Sequence, residues 1–335
     1  MNPADAAGTD WRPTATHERL RLRATALQRV RAFFERRAVL EVDTPVVVNA
    51  GVTDVHIHSV GVDLGGGAPP LYLHTSPEYA MKRLLAAGAG DIWQCCHVAR
   101  GFETSRLHNS EFTLIEWYRQ GFSLDDLMDE TEALARAVLG PQAAARSSER
   151  LSYREAFLRH AGLDPLTASH AELLAAVRPL GYCPQAGPRT DAAPAQLRDE
   201  LLELLMSAVI GPCLGQGGLT FIHGYPASQA ALARLDPADP RTAQRFELYG
   251  DGIELANGFH ELADAGEQRA RFSADADERQ RLGLPRVAPD ERLLAALHQG
   301  LPDCAGVAVG FDRLLMLACG AQDIREVLPF PTERA

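Results

Sequence analysis

Between residues 17 and 37 the apolar positions Leu20, Ala24, Leu27, Val30 and Phe34 recur at steps of three and four, the spacing of one helical face. The stretch AVLEVDTPVVV follows, β-branched but cut by Pro45, so a strand edge or a bend is expected there. LYLHT at 71–75 alternates as a strand, and SPEYAMKRLLAAG then reads as a helix with Ser76 as cap, Pro77 first and Glu78 in the first turn. A strand at 92–98, a polar loop at 100–109 and a second strand, EFTLIEWY, form an expected antiparallel pair. Residues 120–210 read as mostly helical, with surface insertions in the Pro/Ala/Gln-rich stretches 141–149 and 184–195. The last third holds TFIHGYP, the strand pair ELYGDGIELANGFHEL, helices near 264–282 and 290–300, and GVAVGFDRLLMLACG as a strand running into a helix.

Sequential paired strands set between helices predict an α+β domain with an antiparallel sheet flanked by helices. Residues 1–15 read as a loose arm and DLGGGAPP at 63–70 as a turn, leaving 16–335 as one large domain with a helical insertion at about 120–210. A doubly wound nucleotide fold is disfavoured, because neither GxGxxG nor GxxxxGK[ST] falls between a strand and a helix.

Composition narrows the partners. The 335 residues are 46% hydrophobic, and no apolar run approaches the roughly 20 residues that span a bilayer, so no membrane role is expected. A formal charge of −11 argues against a surface that grips a polyphosphate backbone. Lys82 is the sole lysine; in so alanine-rich a chain codon bias explains that as well as chemistry does, so the scarcity of lysine carries no functional implication. Six cysteines without a CxxC pair suggest a reduced, cytoplasmic setting.

Two carboxylates draw attention in the late hairpin. With Gly250-Asp251 as a two-residue turn, Glu247 falls directly opposite Glu254. Carboxylates with Cβ atoms roughly 5 Å apart repel, unless a hard cation sits between them and substrate phosphates; Mg²⁺ at Glu247 and Glu254 is therefore expected. On EFTLIEWY, Glu116 and Tyr118 are two residues apart and share one face.

Four stretches, TSPEYAMKRLLAAG, RGFETSRLHNSEFTLIEWY (100–118), ELYGDGIELANGFHE (247–261) and GVAVGFDRLLML, together resemble the catalytic core of a class II aminoacyl-tRNA synthetase of the lysine type. VLEVDTP near Pro45 looks like the family's motif 1, which implies a homodimer interface. The resemblance gives Arg100 the ATP α-phosphate and Arg313 the γ-phosphate, roles that suit a planar, permanently charged fork. It places Phe102, Glu103, His108, Asn109, Leu255 and Gly310 around the nucleotide. Glu103 follows Phe102, which stands where the family often has an acid. Asn257 and Glu261 are implied for a substrate ε-ammonium, and Glu78 for the amino end, beside Ser76, Glu116, Tyr118 and Ala308. A ring of acids suits an amine-rich substrate, since a buried ammonium needs paired charge.

Lysyl-tRNA synthetases carry an N-terminal anticodon-binding barrel, and the residues ahead of this core are too few for one. The chain looks instead like the synthetase paralogues that activate (R)-β-lysine and transfer it to a lysine of elongation factor P, with Ala308 where lysyl-tRNA synthetases usually have glycine. That resemblance implies ATP and Mg²⁺ as cofactors and excludes tRNA as the main substrate. Two other readings stand beside it: a lysine-activating paralogue with another acceptor, and a silent synthetase-like regulatory subunit. Retention of Arg100, Glu247, Glu254 and Arg313 weighs against the silent one.

Overall fold

The computed structural model describes residues 11–65, 70–141, 146–181 and 194–335. Along the chain α1 (His17–Glu35) leads to β1 (Leu40–Glu41), β2 (Val47–Val48), β3 (Gly61–Val62), β4 (Leu71–Leu73), α2 (Glu78–Ala86), β5 (Ile92–Ala99), β6 (Glu111–Gln120) and α3 (Leu124–Leu139). The middle holds β7 (Ser148–Ser152), α4 (Tyr153–His160), α5 (His170–Val177) and α6 (Pro194–Leu205). The remainder runs β8 (Leu219–Pro226), β9 (Thr242–Gly250), β10 (Ile253–His260), α7 (Ala265–Arg281), α8 (Glu291–Gly300), β11 (Cys304–Gly310) and α9 (Phe311–Cys319).

An eight-stranded sheet has the order β1-β5-β6-β11-β10-β9-β8-β7, antiparallel except at its two ends, where β1 lies parallel to β5 and β7 to β8. This is the expected α+β architecture. One face packs under α1, α3 and α9, burying Phe34, Trp93, Trp117, Leu248, Val307 and Leu314. On the other face α2, α7 and α8 pack Met81, Leu85, Phe272 and Leu293 against Ile92 and Tyr118, leaving the middle of the sheet open. Helices α4–α6 close on β8 through Phe157, Leu201 and Ile222. Among the described residues no helix is long and apolar enough to cross a membrane.

Several sequence expectations shift. The buried face of α1 is Ala26, Val30, Phe33 and Phe34, with Ala24 exposed, because the first half of the helix meets its neighbours through ion pairs, Arg19 with Glu326 at 2.7 Å and Arg23 with Asp312. Helix α2 begins at Glu78 with Pro77 at the cap position; Ser76 Oγ accepts the Glu78 N–H at 3.2 Å, since Pro77 has none to offer. The end of the supposed arm is docked: Thr14 N donates to Pro329 O at 2.9 Å and Ala15, buried, donates to Leu328 O. Strand β7 begins within a stretch read as an insertion; only Leu151 of its five residues is buried, so it gave no apolar signal. Residues 1–10, 66–69 and 184–193, on which other expectations fall, lie outside the described residues.

The β9–β10 turn is Asp251-Gly252, not Gly250-Asp251. Both residues have positive φ, 48° and 76°, the mirror-image turn that Asp-Gly favours. Glu254 therefore pairs with Tyr249, and after a bulge at Leu255 it is Asn257 that pairs with Glu247. Leu255 and Ala256 both enter the core below the sheet, which lets Glu254 and Asn257, three residues apart, share the open face.

Candidate active site

The open face holds a cavity of about 610 Å³. Its floor follows the rungs of the sheet: Glu116 pairs with Ala308 and Ala308 with Asn257, while on the next same-face rung Tyr118 pairs with Gly306 and Gly306 with Phe259. Ser76, Glu78, Arg100, Glu103, His108, Asn109, Glu116, Tyr118, Glu254, Leu255, Asn257, Glu261, Ala308, Gly310 and Arg313 all line it. Of the residues expected there, Phe102 and Glu247 do not.

One end is cationic. Arg313, in the first turn of α9, donates to Glu254 O at 3.0 Å and to Leu107 O at 3.3 Å, and its Nη2 lies 2.7 Å from His108 Nε2. Burial first, and then the Arg313 charge, lower the His108 pKa, which suits a neutral ring that accepts this bond. Asp312 anchors the same helix turn, accepting from Thr113 N at 2.7 Å and pairing with Arg23. Arg100 donates to Thr75 O at 3.3 Å and stands over the Phe112 ring, 5.1 Å from its centroid. Asn109 is committed to the fold: its Oδ1 accepts from Thr332 N at 3.1 Å and its Nδ2 donates to Glu111 O at 2.6 Å.

Phe102 is 92% exposed at φ 62°, edge-on to His58 at 5.2 Å, so the loop turns it away from the cavity and leaves Glu103 inside. Glu103 lies 3.9 Å from Arg100.

The other end is acidic. Glu78, Glu116 and Glu261 converge there, with Tyr118 donating to Glu116 Oε1 at 2.7 Å. Burial, reinforced by Glu78, pushes Glu116 up to about 8, and burial likewise raises Glu261. Behind them lies Lys82, Nζ 2.7 Å from Glu78 and 2.6 Å from Glu261. Gly306 leaves the floor bare, since a Cβ there would fall against the Tyr118 ring and 2.6 Å from Glu261 Oε1.

Glu247 is held behind Arg245, which bonds its Oε1 at 2.5 Å, while Tyr249 donates to its Oε2 at 2.6 Å. Burial and then the Glu247 charge raise the Glu254 pKa, so the two acids repel although they are not paired across the hairpin. Of the two acids expected to hold magnesium, Glu254 faces the cavity with hard carboxylate oxygens that suit such an ion in kind, whereas both Glu247 oxygens are taken by Arg245 and Tyr249. Among the described residues there is no group of three His, Cys, Asp or Glu for a metal, so an ion here would take its remaining ligands from phosphates and water.

Sequence reasoning passed over Phe112, Arg245 and Lys82. Phe112 shares the alternation of Leu114, Glu116 and Tyr118, and Arg245 that of Glu247, so both faces were readable.

A family model described as tRNA synthetases class II (D, K and N) matches residues 5–334. The chain belongs to this family. Among curated members similar to it, the elongation factor P–(R)-beta-lysine ligase of Vibrio cholerae is 49% identical over 331 residues, 98% of this chain and 99% of that one. Proteins of the same name from Klebsiella pneumoniae and Pasteurella multocida are 46% and 45% identical, each over 97% of this chain and 98% of the relative. The class II match and these relatives thus take in both ends of the cavity.

Proposed function

We propose that this chain is an ATP-dependent, AMP-forming ligase that activates (R)-β-lysine as an aminoacyl-adenylate and transfers it to a lysine side chain of elongation factor P. The observation that carries this reading is one cavity with guanidinium groups at one end and carboxylates at the other, in a chain similar over nearly its whole length to ligases of that name.

The substrate carboxylate attacks the ATP α-phosphorus, the bond from that phosphorus to the bridging oxygen breaks, and pyrophosphate leaves. Arg100 and Arg313 oppose the negative charge of the phosphates, and Phe112, whose ring lies under Arg100, supports that guanidinium at the cavity. The acceptor ε-amine then attacks the adenylate carbonyl; the bond to the phosphate oxygen breaks, AMP leaves, and the amine releases its proton to solvent. No side chain acts as nucleophile, so positioning does most of the work. Glu78, Glu116 and Glu261 with Asn257 take the substrate's two ammonium groups. Glu254, with Glu247 behind it, would hold Mg²⁺, which when bound neutralises phosphate charge. Leu40, Val46 and Val47, exposed around the motif 1 stretch, are offered as the homodimer surface, and the cytoplasm as the setting.

The test is to incubate the protein with ATP, Mg²⁺, (R)-β-lysine and elongation factor P and weigh the factor. A gain of one β-lysyl residue is expected; an unchanged mass overturns the reading. Faster pyrophosphate exchange into ATP with α-lysine than with (R)-β-lysine would favour the paralogue with another acceptor.

A further inference from the structure

Lys82, the sole lysine of the chain, is 1% exposed. Its ammonium lies between Glu78 Oε1 and Glu261 Oε2, at 2.7 and 2.6 Å. Both acids line the cavity and Lys82 does not, so its charge acts from behind them. Burial works against that charge, but Glu261 and Glu78 outweigh it and hold the ammonium above the ordinary lysine value. Three carboxyl groups therefore meet at the acidic end and one fixed cation backs two of them, so that with all three ionised two further positive charges are needed to balance them. Each backed carboxylate gives one oxygen to Lys82 and keeps the other; Glu261 Oε1, the one left over, looks onto the bare backbone of Gly306.

We propose that Lys82 is a positioning residue: a resident counter-ion that sets the charge and the orientation of Glu78 and Glu261 for a substrate bearing two ammonium groups. The inference rests on the ligase reading above and deepens it. With a neutral side chain at 82 the two acids repel, share a proton, and lose the geometry that leaves one oxygen of each toward the cavity. An ordinary buried ion pair, by contrast, serves stability alone, and replacing it would change melting without touching the choice of substrate.

The experiment measures ATP–pyrophosphate exchange for wild type, Lys82→Met and Lys82→Ala, with (R)-β-lysine as the varied substrate. Exchange by the wild type is the control for the ligase reading; its absence overturns that reading, whereas the present proposal is judged from the variants. The expected result for Lys82→Met is a rise in the (R)-β-lysine KM of about tenfold or more, with kcat and the ATP KM within about threefold. Lys82→Ala has a cavity shaped for propylammonium, and adding that ion is expected to lower the KM toward wild type, while propanol does nothing and the wild type gains nothing from either. A folded Lys82→Met with the wild-type KM, or an Ala variant rescued equally by propanol, overturns the proposal. So does loss of folding in both variants, scored by disappearance of the cooperative melting transition, because it makes the role structural.

Discussion

Replacing Gly306 by alanine adds a single methyl group at the centre of the proposed substrate pouch. That methyl would stand 2.6 Å from Glu261 Oε1 and closer still to the Tyr118 ring. The backbone has no room to withdraw, because β11 is an interior strand and Gly306 is paired on one side with Tyr118 and on the other with Phe259. Tyr118 must therefore turn, and its 2.7 Å hydrogen bond to Glu116 breaks. Overpacking costs about 1–3 kcal/mol and an orphaned buried acceptor a similar amount, so a loss of about 2–6 kcal/mol is expected. Urea unfolding measures it as a lower midpoint at unchanged slope. In pyrophosphate exchange the (R)-β-lysine KM is expected to rise by about tenfold or more while the ATP KM stays within about threefold, since the cationic end is untouched. A variant with the wild-type midpoint and the wild-type KM for (R)-β-lysine would refute the account of the pouch.

Arg313→Ala is expected to slow exchange by about 10²–10³-fold with little change in melting temperature; a rate within about threefold of wild type would remove Arg313 from the mechanism. Arg245→Leu strands Glu247, whose side chain is 10% exposed, and is expected to cost about 3–5 kcal/mol in urea unfolding, much of it recovered in Arg245→Leu/Glu247→Leu. Glu116 gives a pH signature. Its pKa is raised from 4.5 to about 8 by burial and Glu78, so across that window the folded chain keeps a proton the unfolded chain has lost. Stability of the ligand-free chain then falls as pH rises, by up to about 1.4 kcal/mol per unit from this group. Glu116→Gln should flatten that part of the melting-temperature profile, and an unchanged slope between pH 5 and 8 would show that Glu116 is ionised throughout.

Much of the site was legible because strand alternation is a property of the backbone: EFTLIEWY alone announces that Glu116 and Tyr118 share a face, and the sheet then sets Ala308 and Asn257 on the same rung as Glu116. The hairpin register was less so. Gly250-Asp251 and Asp251-Gly252 each suit one of the two mirror-image hairpin turns, so the residues alone do not choose between them, and the bulge at Leu255 has no local mark at all. Phe102 illustrates a different gap, since its direction depends on a left-handed residue in an irregular loop, outside any period. Lys82 shows a third. Spaced four from Glu78, it reads as an ordinary surface pair on a helix, and its burial emerges only when Glu261 arrives from a strand far along the chain.

The bulge at Leu255 puts chain length, rather than chemistry, under constraint. In a ribbon every side chain's direction is decided by odd or even count, and a ladder running straight through Leu255 with no residue lost would turn Asn257 and Phe259 down into the apolar layer and lift Ala256 and Gly258 in their place. Each residue would survive by name, and the catalyst would be gone. Insertions or losses of one residue in β10 beyond the bulge should therefore be far rarer among working relatives than substitutions there.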